Sequence, residues 1–352
     1  MPGILHFPAF PEGVPTHPLI IIDYALLKAG DEREIDRLWQ GATELGFWYL
    51  KNHGIDDEID AMFDLGAQTL ALPLDKKMPY HYQEDGSSFG YKSIGSCVID
   101  EKGTRDTTES IDVSQDDVLA YPIKVHQAYP ATIGAGIESI VRPFVAKSMD
   151  INFHLLGIMD GKLGLPKGTL ASLCTPEEHS GSTLRLIRNP PATTPSAQTF
   201  VGAHTDFGAL TILHNRLGGL QVLVPGQEDW QYVKPLEGHA ICNIGDALNI
   251  FSGGIMRSNI HRVVPSPKEQ AKLERLSLVF FTRPSFTVPM RALTEHSTTV
   301  AEAVAKAPAE KFDTGVTAGE WLARRMRSIR ATQFKDSETL KAGFKGTEDI
   351  AL

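Results

Sequence analysis

The stretch Gly202-Ala-His-Thr-Asp-Phe-Gly-Ala-Leu-Thr-Ile-Leu213 decides how this chain is read. Its second half, Leu210-Thr-Ile-Leu213, is a short β-type run, and His204 and Asp206 stand just ahead of it. In extended backbone, residues two apart point to the same face. His204 and Asp206 therefore offer one imidazole and one carboxylate to a single ion. Such a pair is common by chance, and a surface histidine near an aspartate is its ordinary explanation, so a third ligand has to be found. His261 is the best candidate, in Ser258-Asn-Ile-His-Arg-Val-Val264, which enters another β-type run. Two histidines and one carboxylate on one face of an octahedral ion leave three positions open for exchangeable ligands. A closed zinc site uses four ligands, commonly with cysteine, and Cys97, Cys174 and Cys242 are far from the pair in sequence. Of the other histidines, His53, His214 and His239 read as structural or exposed, and His154 and His179 have no carboxylate at ligand spacing.

A second element follows His261. In Arg275-Leu-Ser277 the arginine and the serine share a strand face, and the run continues as Leu278-Val-Phe-Phe281. An arginine inside so apolar a strand is costly unless it is paired. A guanidinium beside a hydroxyl suits a carboxylate, through bidentate and single hydrogen bonds. The alternative is a structural ion pair with one of the chain's own acids.

Outward from these motifs the texture is uneven. From about Ser182 to Pro289, short β-type runs alternate with Gly, Pro, Asn and Asp turns, the pattern of a sandwich or jelly roll. They are Leu184–Ile187, Leu210–Leu213, Leu220–Val224, Ala240–Ile244 and Leu276–Phe281. Ahead of them lie a strand at Leu19–Asp23, a helix over Glu32–Leu45 closed by Gly46, and a strand at Phe47–Lys51. Helices are expected over Asp57–Leu72 and Ile133–Leu163, with an irregular polar stretch at 79–120 between them. A last helix is expected near Ala318–Thr332. The fold class expected is mainly β with flanking helices. Three regions are expected: a helical and mixed part over 1–178, a β core over 179–290, and a helical tail over 291–352 that is a candidate lid.

The 352 residues, 42% apolar, can bury a sizeable core. A net charge of −9 argues against attraction to nucleic acid or anionic lipid through the overall field. No apolar run approaches the roughly 18 residues of a spanning helix. Met1–Pro18 does not read as a signal peptide. The three scattered cysteines suggest no disulfide framework, so a reducing, cytoplasmic setting is expected.

Taken together, the motifs resemble the 2-oxoglutarate and Fe(II)-dependent dioxygenase family related to isopenicillin N synthase. Gly46-Phe-Trp-Tyr-Leu-Lys-Asn-His-Gly-Ile55 looks like the family's N-terminal signature and Gly202–Leu213 like its first metal motif. Gly218-Gly-Leu-Gln-Val222, Asn243-Ile-Gly-Asp246, Ser258–Val264 and Arg275–Ser277 follow in the family's order. The resemblance implies a distorted double-stranded β-helix, or jelly roll, with Fe(II) held by His204, Asp206 and His261. It implies that Arg275 and Ser277 hold the far carboxylate of 2-oxoglutarate. It further implies oxidation of a C–H bond by O2, by default hydroxylation and otherwise desaturation or ring expansion, with release of succinate and CO2.

The chain departs from the family in one segment. Where relatives carry a Tyr before Pro-Pro, this sequence has Asn189 in Leu184-Arg-Leu-Ile-Arg-Asn-Pro-Pro191, with Arg188 ahead of it. Asn189 can still donate to the oxo acid, and Arg188 either binds an anionic ligand or points outward. Phe89, Tyr91 and Phe207 are candidate substrate contacts, each with a core role as its alternative. The substrate expected is a small organic molecule, aromatic or from specialised metabolism. Two other readings stand beside this one: an oxidase of the same fold that does not use 2-oxoglutarate, and a non-catalytic binding relative. The sequence does not give the oligomeric state.

Overall fold

Period-two alternation gives the sheets two chemically different faces, and that difference places the site. In the computed structural model, residues 7–82, 88–100, 102–192, 199–308 and 310–330 are described. The strands are β1 (Ile21–Asp23), β2 (Phe47–Lys51), β3 (Gly90–Lys92), β4 (Glu109–Ser114), β5 (Thr183–Asn189), β6 (Val201–His204) and β7 (Leu210–Asn215). They continue as β8 (Leu220–Leu223), β9 (Trp230–Tyr232), β10 (His239–Ile244), β11 (His261–Val263), β12 (Arg275–Thr282), β13 (Pro289–Arg291) and β14 (Asp313–Thr317). Eight of them form one sheet in the order β1-β2-β10-β7-β12-β5-β4-β3, and a smaller sheet runs β6-β11-β8-β9. The mainly β architecture with flanking helices is the one expected. Strands from the first third of the chain contribute to both edges of the larger sheet.

On β12, Leu278 and Phe280 are fully buried in the main core, whereas Arg275, Ser277, Val279 and Phe281 line a cavity on the other face. On β5, Leu184 and Leu186 enter the core while Arg185, Ile187 and Asn189 line the cavity. The helices Asp56–Leu70 and Arg142–Leu163 pack their apolar residues, Met62, Phe63, Phe144 and Leu155 among them, onto the core face. At ~25 cal/mol per Å² of apolar surface removed from water, this face supplies the main driving force for folding. A smaller apolar cluster, including Phe47, Tyr49, Val222 and Ile241, joins the two sheets at one end.

Two expectations are corrected. The stretch 79–120 is not irregular throughout: it contains β3, β4 and the helix Gln115–Ala120. The strand β4 escapes a hydrophobicity reading because only Ile111 and Val113 face the core, while Ser110 and Asp112 face the cavity. The helix expected over Ile133–Leu163 is broken into Ala131–Gly136, a wide π turn at Ile137–Val141, and Arg142–Leu163. Pro143 lacks the N–H that an α-helix would use there, which favours opening the ladder at this point. Gly164, at φ 68°, closes the last segment in the left-handed conformation that glycine adopts without strain. The C-terminal helix spans Ala318–Ile329; residues 331–352 of the expected tail lie outside the described residues. No helix among the described residues is long and apolar enough to cross a membrane.

His214, on β7, illustrates the cost of the core face. It is buried between His53 and Phe144, with Nε2 lacking a hydrogen-bond partner. Burial, with His53 adding to it, pushes its imidazole down to about 3. A depressed pKa means the unfolded chain binds the proton first. This contribution to stability is full above the unfolded value, near 6.5, and is lost as pH falls toward 3. Denaturant midpoints measured from pH 7 to pH 4 should fall, and His214→Phe should flatten the decline by up to about 1.4 kcal/mol per pH unit. An unchanged slope in the variant would count against the burial argument.

Candidate metal centre

His204 ends β6 and His261 opens β11, and the two strands pair antiparallel with these residues opposite each other. Their rings lie 4.3 Å apart, centroid to centroid. Strand pairing thus joins ligands that are distant in sequence. Nδ1 of His204 is 2.8 Å from the Gly202 carbonyl, and Nδ1 of His261 is 3.1 Å from the Asn259 carbonyl. A carbonyl can only accept, so each Nδ1 carries the proton and each Nε2 presents its lone pair. Oδ1 of Asp206 lies 3.9 Å from Nε2 of His204 and 3.8 Å from Nε2 of His261. Donor atoms of all three lie within 4.8 Å of one another, close enough to share one ion.

The other oxygen of Asp206 is already committed. Oδ2 accepts from Thr211 Oγ1 and Asn243 Nδ2, both at 2.7 Å. Burial opposes the charge on Asp206, but His261 and His204, whenever either ring is protonated, and the bonds from Asn243 and Thr211 hold its carboxyl below the ordinary aspartate value. Burial, then the neighbouring His261, pushes His204 down to about 3, so its imidazole is neutral and able to ligate at neutral pH.

The Asn243-Ile-Gly-Asp246 motif now has a physical reason. Asn243 holds Asp206. Gly245 passes so close to the Gly208 carbonyl that an added Cβ would sit 2.3 Å from its oxygen. The Asp246 backbone N–H donates to the Asp206 carbonyl at 2.8 Å. The Asp246 carboxylate accepts from Thr205 Oγ1 and from Arg325 of the C-terminal helix, each at 3.0 Å. Arg325 and Asp246 are both fully buried, and the Arg325 guanidinium also lies 4.4 Å from the Phe207 ring. The C-terminal helix is thereby fixed to the backbone that carries the candidate ligands.

The cavity has a volume of about 200 Å³. His204, Asp206, His261, Arg275, Ser277, Asn189 and Phe207 all line it. At one end Arg275 is buried, donating from Nε to the Gly218 carbonyl at 2.8 Å and from Nη1 to Asn189 Oδ1 at 3.3 Å. Gly219 leaves room for it: a Cβ there would approach Arg275 Nε to 3.2 Å. Among the described residues no carboxylate pairs with Arg275, and burial pushes its guanidinium down to about 10. Beside it, Ser277 Oγ and Asn189 Nδ2 are buried without hydrogen-bond partners. Buried donors left unsatisfied are costly, and two such donors beside a guanidinium without a carboxylate partner fit the carboxylate of a bound acid. An Fe(II) ion fits the nitrogen, nitrogen and oxygen donors facing one another.

Three sequence candidates stand elsewhere. Arg188 is adjacent to Asn189 on β5, so it points to the opposite face, where it forms an ion pair with Glu109. Tyr91 donates to the same carboxylate at 2.7 Å, and Lys77 does so at 2.8 Å. Phe89 lies against His126, ring centroids 4.6 Å apart. None of Arg188, Tyr91 and Phe89 is among the described residues lining the cavity. Sequence reasoning missed Asp112, Arg185 and Arg283, which do line it. The signal for Arg185 was available, since it shares the strand face of Asn189. One other grouping of histidine and carboxylate occurs among the described residues, at Asp116, His126 and His179. There Asp116 Oδ2 already accepts from His126 Nε2 at 2.8 Å and from the Ser180 N–H at 3.1 Å.

Comparison with known proteins agrees with this geometry. The 2OG-Fe(II) oxygenase superfamily model matches residues 180–284, and the model for the N-terminal region of non-haem dioxygenases in morphine synthesis matches 19–132. The 2-oxoglutarate-dependent dioxygenase frbA of Dothideomycetidae sp. is 30% identical over 299 residues, covering 75% of this chain and 85% of that one. The chain belongs to the 2OG-Fe(II) oxygenase superfamily. As a member, this oxygenase is an enzyme that uses Fe(II), 2-oxoglutarate and O2. A second relative, frbH of the same organism, is 29% identical over 287 residues, covering 80% of this chain and 87% of that one. A Caulobacter crescentus structure assigned to the 2OG-Fe(II) oxygenase family superposes with a TM-score of 0.73 at 26% identity, covering 89% of this chain and 99% of the other. A full-length Neurospora crassa protein in complex with alpha-KG gives 0.71 at 24% identity, over 90% and 97% of the two chains, and shares the fold.

Asn243 is not expected to touch the ion, yet it holds the carboxylate that does. Asn243→Ala should weaken Fe(II) binding by about 10- to 100-fold, as loss of a partner behind a ligand does. Anaerobic titration with Fe(II), with far-UV circular dichroism as a check on folding, measures this. Wild-type affinity in a folded variant would remove the orienting role.

Proposed function

We propose that this oxygenase hydroxylates a C–H bond of a small organic substrate, with His204, Asp206 and His261 holding Fe(II). In this reading Arg275, Ser277 and Asn189 hold the far carboxylate of 2-oxoglutarate. The observation that carries it is the cavity itself, with facing Nε2, Nε2 and Oδ1 donors and, at one end, buried donors lacking partners. Bound Fe(II) supplies the oxidising centre, and 2-oxoglutarate leaves as succinate and CO2.

The protein's own work is binding, orientation and exclusion of water. The Nδ1 bonds of the histidines and the Oδ2 bonds of Asp206 fix which atoms are available to the metal. Arg275 gains a counter-ion when the oxo acid binds, which offsets the cost of burying its charge without a carboxylate partner. Asn189 contributes two atoms: its Oδ1 accepts from Arg275, and its free Nδ2 is left for the ligand. Apolar walls from Phe47, Val98, Phe200, Val263, Val279 and Met326 enclose the remaining space and limit water around the reacting groups. Phe207 lines the cavity with its ring beside the Arg325 guanidinium, which supports a role as a substrate contact.

His204→Ala should lose Fe(II) binding and all substrate-dependent succinate formation. Arg275→Gln should retain Fe(II) but raise the half-saturating 2-oxoglutarate concentration on the order of 100-fold, since truncating one partner of a buried charge pair costs ~2–5 kcal/mol. Both are measured by anaerobic metal binding and by succinate assay over a substrate panel. Turnover of substrate without succinate, or unchanged 2-oxoglutarate saturation in Arg275→Gln, would contradict the proposal.

A further inference from the structure

The cavity has a second cationic end. Arg185 on β5 and Arg283, just past the end of β12, both line it, and both guanidiniums lie against the Phe281 ring, at 5.2 and 5.0 Å. Both feel the Asp206 carboxylate, which puts them on the metal side of the cavity. Arg185 already has a counter-ion: its Nε and Nη2 bond the two oxygens of Asp112. Arg283 has none among the described residues. It is 6% exposed, Nη1 donates to the Gly181 carbonyl, and Nε is buried with no partner. Burial, with the nearby Arg185 charge, pushes its guanidinium down to about 10.

The surrounding charges show what is missing. Lys92 is paired with Asp106, Arg185 with Asp112, and Arg325 with Asp246. In the loaded enzyme of the proposed function, Fe(II) and Arg275 together balance Asp206 and doubly charged 2-oxoglutarate. Of these cations Arg283 alone keeps an unbalanced charge, inside a cavity, with a donor unused. A buried guanidinium left in that state is costly.

We infer that Arg283, backed by the Arg185–Asp112 pair, anchors a carboxylate on the substrate, so that this oxygenase takes small organic monoacids with an apolar, ring-bearing body. The inference rests on the proposed function and names its substrate class. Phe281, against which both guanidiniums lie, supplies an apolar face for the body next to its acid group. The walls formed by Val98, Phe200 and Met326 suit the rest. Arg188, which the sequence leaves open between an anion contact and an outward-pointing residue, is turned by the fold toward Glu109.

The test uses the full chain loaded anaerobically with Fe(II) and 2-oxoglutarate. The metal-to-ligand charge-transfer band is followed while benzoate, phenylacetate and 3-phenylpropanoate are added, each compared with its primary amide. Acids should perturb the band at concentrations about tenfold or more below their amides, as a charge-assisted pair implies. Arg283→Gln should abolish that preference while leaving the band and its 2-oxoglutarate dependence intact, and Arg283→Lys should keep part of it. The inference is overturned if no acid outperforms its amide in the wild type, a comparison that needs no variant. It is equally overturned if folded Arg283→Gln keeps the wild-type preference. Absence of the band in the wild type would instead strike the proposed function, and this inference with it.

Discussion

The site depends on the way Asp206 is divided. One carboxylate oxygen is held by Thr211 and Asn243, and the other faces two imidazole nitrogens. Burying a carboxylate in an apolar fold is unfavourable unless hydrogen bonds and cations offset it. Here the neighbouring strands β7 and β10 supply the hydrogen bonds and the metal would supply the charge. The backbone beneath is locked as well, because the Asp246 N–H bonds the Asp206 carbonyl and the buried Asp246–Arg325 pair ties in the C-terminal helix. The ligands are therefore pre-arranged by the whole fold, from β7 to the last described helix.

A two-faced sheet makes this arrangement possible. The outer face of β4, β5 and β12 is mainly apolar, apart from the paired Glu109 and Arg188, and carries the helices, and the inner face is free to be polar because it opens onto a cavity. A polar inner face is a liability only while its donors lack partners. The unpartnered donors on Ser277 and Asn189, beside an Arg275 charge with no carboxylate among the described residues, lie at one place in the cavity and the unpartnered donor on Arg283 at another, and the two locations point to two acids bound at once.

Much of this was legible in the sequence where a local rule applied. Residues two apart gave His204 with Asp206 and Arg275 with Ser277, and the β-type runs after Ser182 became strands. The same rule applies at β5: Arg188 and Asn189 are neighbours and cannot share a face, whereas Arg185 and Asn189 do. The strand β4 was illegible because half of it faces a polar cavity, and Glu109 on its other face is compensated by Lys77, Tyr91 and Arg188 from three other segments. The roles of Arg283 and Arg325 depend on what lies across the fold, and no local pattern announces them. His261 came from its motif, but its place opposite His204 is a matter of strand register that the sequence does not state.

The most direct test of the account is an anomalous difference map from crystals grown anaerobically with Fe(II) and 2-oxoglutarate. The account predicts one iron peak bounded by Nε2 of His204, Oδ1 of Asp206 and Nε2 of His261, with the far carboxylate of the oxo acid on Arg275 and Ser277. Iron bound instead at Asp116, His126 and His179, or an oxo acid whose far carboxylate avoids Arg275, would contradict it.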